Sequence, residues 1–350
     1  MRIALNKNML RKIAALGATL VALELLPWTG LQAAETTLRL STLFSADSDG
    51  GRAAQAFADQ IEQGSNGRIQ VLVFPDSQLG DWAQTHEQLM QGSIDIGLQP
   101  LSTDVDRRLA VAWFPYIAPT YAEAQKVFSA HGFAYKLVDE MIAPQGLRLL
   151  GVYGVGMGGA GFTTRVTQPQ NPGAKHGLRV RVWPGGTTHK VMMQRFGYEV
   201  ASVPWADLRD AMQSGSIDGQ IGGTAEMALE NFKDITKTWV QYNDHLELAW
   251  FVINSKRLDA LPREDRYLIQ DIAQKIAYKR FNEVRKADAR NLQRMQEAGI
   301  EVIRFSDQEL ENLAAFTRQK VWPEIAGELD EATMKRLYGT VTVRQNAPGR

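Results

Sequence analysis

Gly92-Ser-Ile-Asp95 returns unchanged as Gly215-Ser-Ile-Asp218. The first copy closes a helical stretch, Asp81 to Met90, and opens a short apolar strand, Ile94 to Leu98. The second closes Trp205 to Gln213 and opens Ile217 to Ile221. Glycine suits a helix C-cap, where the backbone turns left-handed before the strand resumes. Two α/β lobes of related topology produce such an echo. Working outward, Thr37 to Thr42 alternates as a strand, Arg52 to Ile61 is amphipathic, and Ile69 to Phe74 is a strand stopped by Pro75. The alternation continues to a strand at Leu147 to Tyr153 and restarts with Leu178 to Val182, then a helix at Thr187 to Phe196. Strand–helix–strand order with short connections predicts a mostly parallel sheet covered by helices. Leu248 to Ile253 adds another strand. Pro262 to about Ala298 predicts one helix, bounded by Pro262 and Gly299 and long enough to span both lobes.

The bulk numbers agree with this class. A chain of 350 residues suggests about two domains. Charges balance at 39 basic and 39 acidic residues, so no bulk field draws the chain to nucleic acid. Cysteine is absent, which removes disulfides and thiolate chemistry. The N-terminus places Arg2, Lys7, Arg11 and Lys12 before an apolar run, Ile13 to Leu26, with Pro27 and then Ala33-Ala34. That is the order of a secretory signal peptide at residues 1–33, and it implies export to the periplasm. No second apolar run is long enough to anchor the product, which is expected to be soluble and not membrane-embedded.

No constellation for catalysis or metal binding is found. Gly154-Val-Gly-Met-Gly-Gly159 meets a dinucleotide pattern, but no helix follows and no acid lies between Glu140 and Glu199. The stretch is read as a flexible crossing between lobes. His86, His131, His176, His189 and His245 are scattered and are read as surface or capping residues. Arg179 and Arg181, two apart on a strand, share one face. A guanidinium flanked by valines must reach solvent or meet an anion, and its planar fork matches a carboxylate. Trp82, Trp113, Trp183, Trp205 and Trp250 fall at element ends, and two or three of them are assigned to a cleft.

The order of several segments then resembles one family. These are Gly67 to Pro75 with Gln78-Leu-Gly80, Gly92-Ser-Ile-Asp95, Phe114-Pro-Tyr116 with Ala122-Glu-Ala124, Gly177 to Val182, and Gly215-Ser-Ile-Asp-Gly-Gln220. Together, from Thr37 to Gly339, they resemble the solute-binding proteins of tripartite ATP-independent periplasmic (TRAP) transporters, dicarboxylate-binding type. The resemblance implies an α/β, two-lobed periplasmic binding protein (type II-like) with hinge strands and a long helix crossing both lobes. It implies that Arg181 grips the ligand carboxylate and that Trp205 lies against the ligand body, helped by Trp82, Trp183 and Phe44. It also implies delivery to TRAP membrane permease subunits, with no cofactor. Three positions depart from the family. Gly222 stands where an asparagine is common, Gly161 near where sugar-acid binders carry a second arginine, and Pro100, beside Gln99, where some carry an acid. Polar contacts are thus removed and aromatic bulk is present, which favours a simple acid with an apolar or aromatic remainder.

The expected organisation is a signal peptide at 1–33, lobe I at 35–158 plus 248–287, lobe II at 159–247 plus 288–340, and a flexible tail at 341–350. The alternatives are a periplasmic enzyme on the same scaffold, for which Asp47, Asp49 and Asp81 are the acids to watch, and the ligand-sensing subunit of a signalling system.

Overall fold

The computed structural model describes residues 34–345, so the export signal expected at 1–33 lies outside the described residues. Ten strands are present among them: β1 (Thr36–Thr42), β2 (Ile69–Phe74), β3 (Ile96–Gln99), β4 (Leu147–Phe162), β5 (Arg179–Val182), β6 (Glu199–Ser202), β7 (Gly219–Thr224), β8 (Thr238–Gln241), β9 (Leu246–Asn254) and β10 (Glu301–Arg304). They form one continuous sheet in the order β2-β1-β3-β9-β4-β7-β5-β6, with β8 also on β4 and β10 on β8. Pairing is parallel around β1 and β5 and antiparallel around β4 and β9.

The tetrapeptide echo is a structural repeat. Asp95 accepts the backbone N–H of Arg39 on β1 at 2.7 Å, and its own N–H returns to the Arg39 carbonyl. Asp218 does the same with Arg179 on β5, also at 2.7 Å. Gly92 and Gly215 hold φ of 76° and 74°, the left-handed conformation that the sequence requires there. The helices before them, Trp82–Gln91 and Trp205–Gln213, each begin on a tryptophan.

Strand β4 joins the two halves. Leu147 to Met157 pairs with β9, whereas Gly158 to Phe162 pairs with β7 and Ala160 to Phe162 also with β8. The glycine run read as a flexible crossing is therefore an ordered part of a 16-residue strand. The glycines serve close approach. A Cβ on Gly156 would lie 2.4 Å from Asp288 Oδ1, and one on Gly159 would lie 2.5 Å from Trp239.

Helix Arg263–Glu297, 35 residues or about 50 Å long, lies along this strand. It buries Ile269 and Ala273 in the first lobe's core, Phe281 and Val284 near the crossing, and Leu292 and Met295 against Trp239. The ladder between β4 and β9 slips between Gly154 and Gly156, and a bulge frees backbone groups. Two charged side chains of the helix take them up. Arg280 donates to the carbonyls of Gly154 and Val155, both at 2.7 Å, and Asp288 Oδ2 accepts the N–H of Met157 at 2.7 Å and the hydroxyl of Tyr121 at 2.5 Å. Past the helix, Trp322 is fully buried on Phe114 and donates to the carbonyl of Pro115. The last helix, Glu331–Gln345, extends into the stretch that the sequence assigns to a tail.

Gly156→Ala forces a methyl onto the Asp288 carboxylate. It should cost about 1–3 kcal/mol, read as a lower urea midpoint at unchanged slope.

Candidate functional site

Arg181 is central in the second half of the sheet, with β6 on one side and β7 on the other. Strand geometry turns its side chain to the same face as its register partner Gln220. The residue is only 4% exposed. Its Nε donates to the carbonyl of Val203 at 2.8 Å, and its guanidinium carbon lies 5.7 Å from the centre of the Trp205 ring. Among the described residues no carboxylate lies within ion-pair distance of it. Burial alone pulls it down to about 10, so it is a cation at neutral pH without a counter-ion. Gln220 Oε1 is likewise buried and without a donor. Sequence reasoning did not single out Gln220, although its place two residues after Asp218 makes it the neighbour of Arg181.

Trp205 is 44% exposed and packs edge-on to Phe232, leaving much of its ring open beside the guanidinium. Trp183, two residues beyond Arg181, lies over Gly222. A Cβ there would come within 2.9 Å of the indole, and φ at Gly222 is +98°. The space of a side chain at 222 is thus occupied by the Trp183 ring. A cavity of about 170 Å³ opens between Trp183, Gly186 and Thr188 on one side and Trp113 with Thr103 and Arg107 on the other. Trp113 comes from a 3-10 helix, Arg107–Trp113, and its ring meets Trp82 edge-on at 6.1 Å. Gln99 is buried, and its side-chain amide donates to the carbonyl of Trp82 at 3.1 Å, fixing that helix start. Phe44 packs on Tyr153, 6.0 Å away, whose ring carries the Arg280 guanidinium. Gly161 pairs with Gln220 and Trp239 in the sheet, and a Cβ there would face Trp239 at 3.5 Å. The structure therefore places Arg181 with Gln220 and Trp205, Trp183 over Gly222 and across the cavity from Trp113, Trp82 with Gln99 and Trp113, and Phe44 with Tyr153.

Three of the five histidines, His86, His189 and His245, are buried and not surface residues, and two of these meet at one carboxylate. His189 Nε2 and His245 Nδ1 both bond Asp244 Oδ2, at 2.8 and 2.6 Å, and His245 Nε2 bonds Glu247 at 3.0 Å. All but Glu247 are buried. Burial opposes the charged form of His245, but Asp244 and Glu247 outweigh it and push the imidazole up to about 10. Burial also disfavours the ionised form of Asp244, yet the two imidazoles hold it below the ordinary carboxylate range. His189 is lowered by burial and stays neutral. Ligand atoms bound to one zinc at about 2.0–2.1 Å lie roughly 3.3 Å apart. The 2.6 and 2.8 Å spacings here are instead those of charge-assisted hydrogen bonds.

A family model described as bacterial extracellular solute-binding protein, family 7 (DctP), matches residues 40–328. The chain belongs to that family. The family expected from the sequence is thus the one found. This solute-binding protein is 24% identical over 330 residues to the C4-dicarboxylate-binding periplasmic protein DctP of Rhodobacter capsulatus, covering 93% of each chain. It is 24% identical over 276 residues to the sialic acid-binding periplasmic protein SiaP of Vibrio cholerae, covering 77% of this chain and 83% of that one. A TRAP periplasmic solute-binding protein of Desulfovibrio salexigens, solved with bound orotic acid, superposes with a TM-score of 0.76 at 16% identity, covering 87% of this chain and 97% of that one. The two-lobed α/β fold read from the sequence is confirmed by that likeness.

His245 binds its proton more tightly folded than unfolded. Its stabilisation is complete below about pH 6.5 and is lost as the pH rises to about 10. The unfolding free energy of the native protein should fall across that window by a few kcal/mol more than that of His245→Gln, measured by urea titration at each pH.

Proposed function

We propose that this protein is the periplasmic receptor of a TRAP transporter, which captures a small organic acid in the cleft between its lobes and hands it to membrane permease subunits. The observation that carries this reading is Arg181, a buried cation with no carboxylate beside it. A buried charge is held at a cost unless a partner arrives, and a solute carboxylate supplies that partner with two parallel hydrogen bonds. The Gln220 acceptor, still without a donor, is placed to meet a hydroxyl or N–H of the same solute.

The body of the solute is read from the walls. Trp183 and Trp113 offer broad apolar faces in a cavity that Thr103, Asp104, Arg107, Thr188 and Glu328 also line, Trp205 offers another beside Arg181, and the indole over Gly222 leaves no room for a hydrogen-bonding side chain there. Each hydroxyl buried without a partner costs roughly 1–3 kcal/mol, and the Trp183 ring removes a partner at position 222, which favours an acid with few hydroxyls. A flat or apolar monocarboxylate fits it well. Structural relatives take both kinds of acid: those from Desulfovibrio salexigens and Bordetella pertussis hold the hydroxyl-free orotic and pyroglutamic acids, and those from Sulfitobacter and Haemophilus influenzae hold β-D-galacturonate and L-gulonate.

Closure follows from shared contacts. Arg181 and Trp205 belong to the second lobe, and Trp113 and Trp82 to the first, so a solute touching both shifts the population toward the closed form. The change of β4 partners at Gly158 supports a division into 35–158 plus 248–287 and 159–247 plus 288–340. Of the acids the sequence marks for an enzyme, Asp49 is ion-paired with Arg280 and Asp81 caps the helix Trp82–Gln91, which supports binding without turnover by these two. No helix among the described residues is long and apolar enough to cross a membrane.

A thermal-shift screen of carboxylic acids should show stabilisation by planar or apolar monocarboxylates and little by sugar acids. A response confined to sugar acids would reject the solute class. Isothermal titration with the strongest binder should show Arg181→Ala weakened on the order of a hundredfold or more, with the fold intact by circular dichroism. Near-native affinity in that variant would remove the basis of the carboxylate reading.

A further inference from the structure

The two indoles that face the cavity come from different lobes, and each is backed by one end of the same buried polar chain. Trp113 Nε1 donates to Glu247 Oε1 at 3.4 Å. Glu247 Oε2 meets His245 Nε2 at 3.0 Å, His245 Nδ1 meets Asp244 Oδ2 at 2.6 Å, and the same oxygen meets His189 Nε2 at 2.8 Å. The His189 ring then lies 4.8 Å from that of Trp183. We propose that Asp244 and His245 are positioning residues for solute recognition. With Glu247 and His189 they form a strut that backs the two indole walls, one from each lobe, and orients their faces toward the cavity. The proposal rests on the cleft reading above and adds to it residues that touch no solute.

The surroundings are built for this. Asp244 to Glu247 is the segment where the chain returns from β8 to β9, between the two halves of the sheet. It is tied to the first lobe by the N–H of Tyr116, which donates to the Asp244 carbonyl at 2.6 Å from a backbone at φ +58°. A single carboxylate oxygen serves both imidazoles, which sets their rings nearly perpendicular, 83° apart with centres at 5.1 Å. The other oxygen, Oδ1, is buried and unpartnered, so nothing else directs the carboxylate. Room for the His245 ring exists because position 158 is glycine: a Cβ there would sit 2.5 Å from the imidazole.

The groups facing the strut are accounted for. From the helix Thr187–Arg195 come His189 and Thr188, whose hydroxyl lies 3.1 Å from His189 Nδ1. Tyr116 and Tyr242 face Asp244 and are held neutral by burial. No lysine or arginine among the described residues is within ion-pair distance of Asp244 or Glu247, which leaves His245 as the cation of the group. Its proton is retained to about 10 and Asp244 stays ionised, so the strut keeps its charges through the neutral range.

The test reads the indole Nε1–H signals of the full exported chain, labelled with 15N, from about pH 6 to about pH 8.5. In the wild type the Trp113 and Trp183 signals should stay constant. In His245→Gln the cation is gone, the hydrogen-bonded Asp244–His189 pair takes up a proton from solvent as the pH falls, and both signals should move with pH while that of Trp322 does not. Glu247→Gln should move Trp113 alone. Should His245→Gln fail to fold, His189→Gln, which breaks the other end, should move Trp183 alone. Signals that stay fixed at every pH in these variants, or a Glu247→Gln change that moves both indoles alike, would overturn the strut. The readout needs no ligand, so its failure leaves carboxylate capture at Arg181 standing, and failure of capture leaves the strut to be judged by itself.

Discussion

A guanidinium withdrawn from water without a carboxylate to meet it is a standing cost, and the second lobe holds Arg181 in that condition. The strand on each side fixes its backbone, the Val203 carbonyl occupies its Nε, and the Trp205 ring lies beside its charge. What takes no protein partner is the fork of the side chain, the part shaped for a carboxylate. The surrounding architecture keeps that fork where a second body can reach it and solvent hardly can.

The same sheet that shelters the arginine also joins the two lobes, and glycine makes the join compact. Along β4 the absent side chains let Asp288, His245 and Trp239 lie directly on the backbone. The backbone groups freed by the bulge are met by Arg280 and Asp288, two turns apart on the spanning helix. Strand and helix therefore cross between lobes as one bonded unit, and relative motion of the lobes must be taken up by both together.

Much of this was legible in the sequence, and for physical reasons. Repeated Gly-Ser-Ile-Asp reports a repeated backbone turn because glycine adopts φ of 76° and 74° without the cost a Cβ brings, and its aspartate makes the same bond in both lobes. Pro262 and Gly299 mark the ends of the long helix through local backbone chemistry. Arg181 was visible because a charge between valines on a strand demands an explanation. The run Gly154 to Gly159 misled, since glycine is poor in strands by propensity and reads as flexible. Here packing against the long helix outweighs propensity. His189 and Asp244 are 55 residues apart in sequence and meet only through sheet order, so no spacing rule could pair them. Gln220 escaped for the same reason: its place beside Arg181 is set by which strands the topology brings alongside.

Position 222 has a bearing on how such a receptor could change its diet. Its backbone sits at φ +98° with the Trp183 ring closed over it. Any new side chain at 222 would have to evict the indole while adopting a left-handed backbone. The two sites are therefore epistatic. A lineage can acquire a polar group at 222 only by replacing the tryptophan at 183 in the same step, or by passing through an ancestor whose cleft wall has been displaced. The two positions are therefore expected to change together among descendants, in jumps and not by single increments.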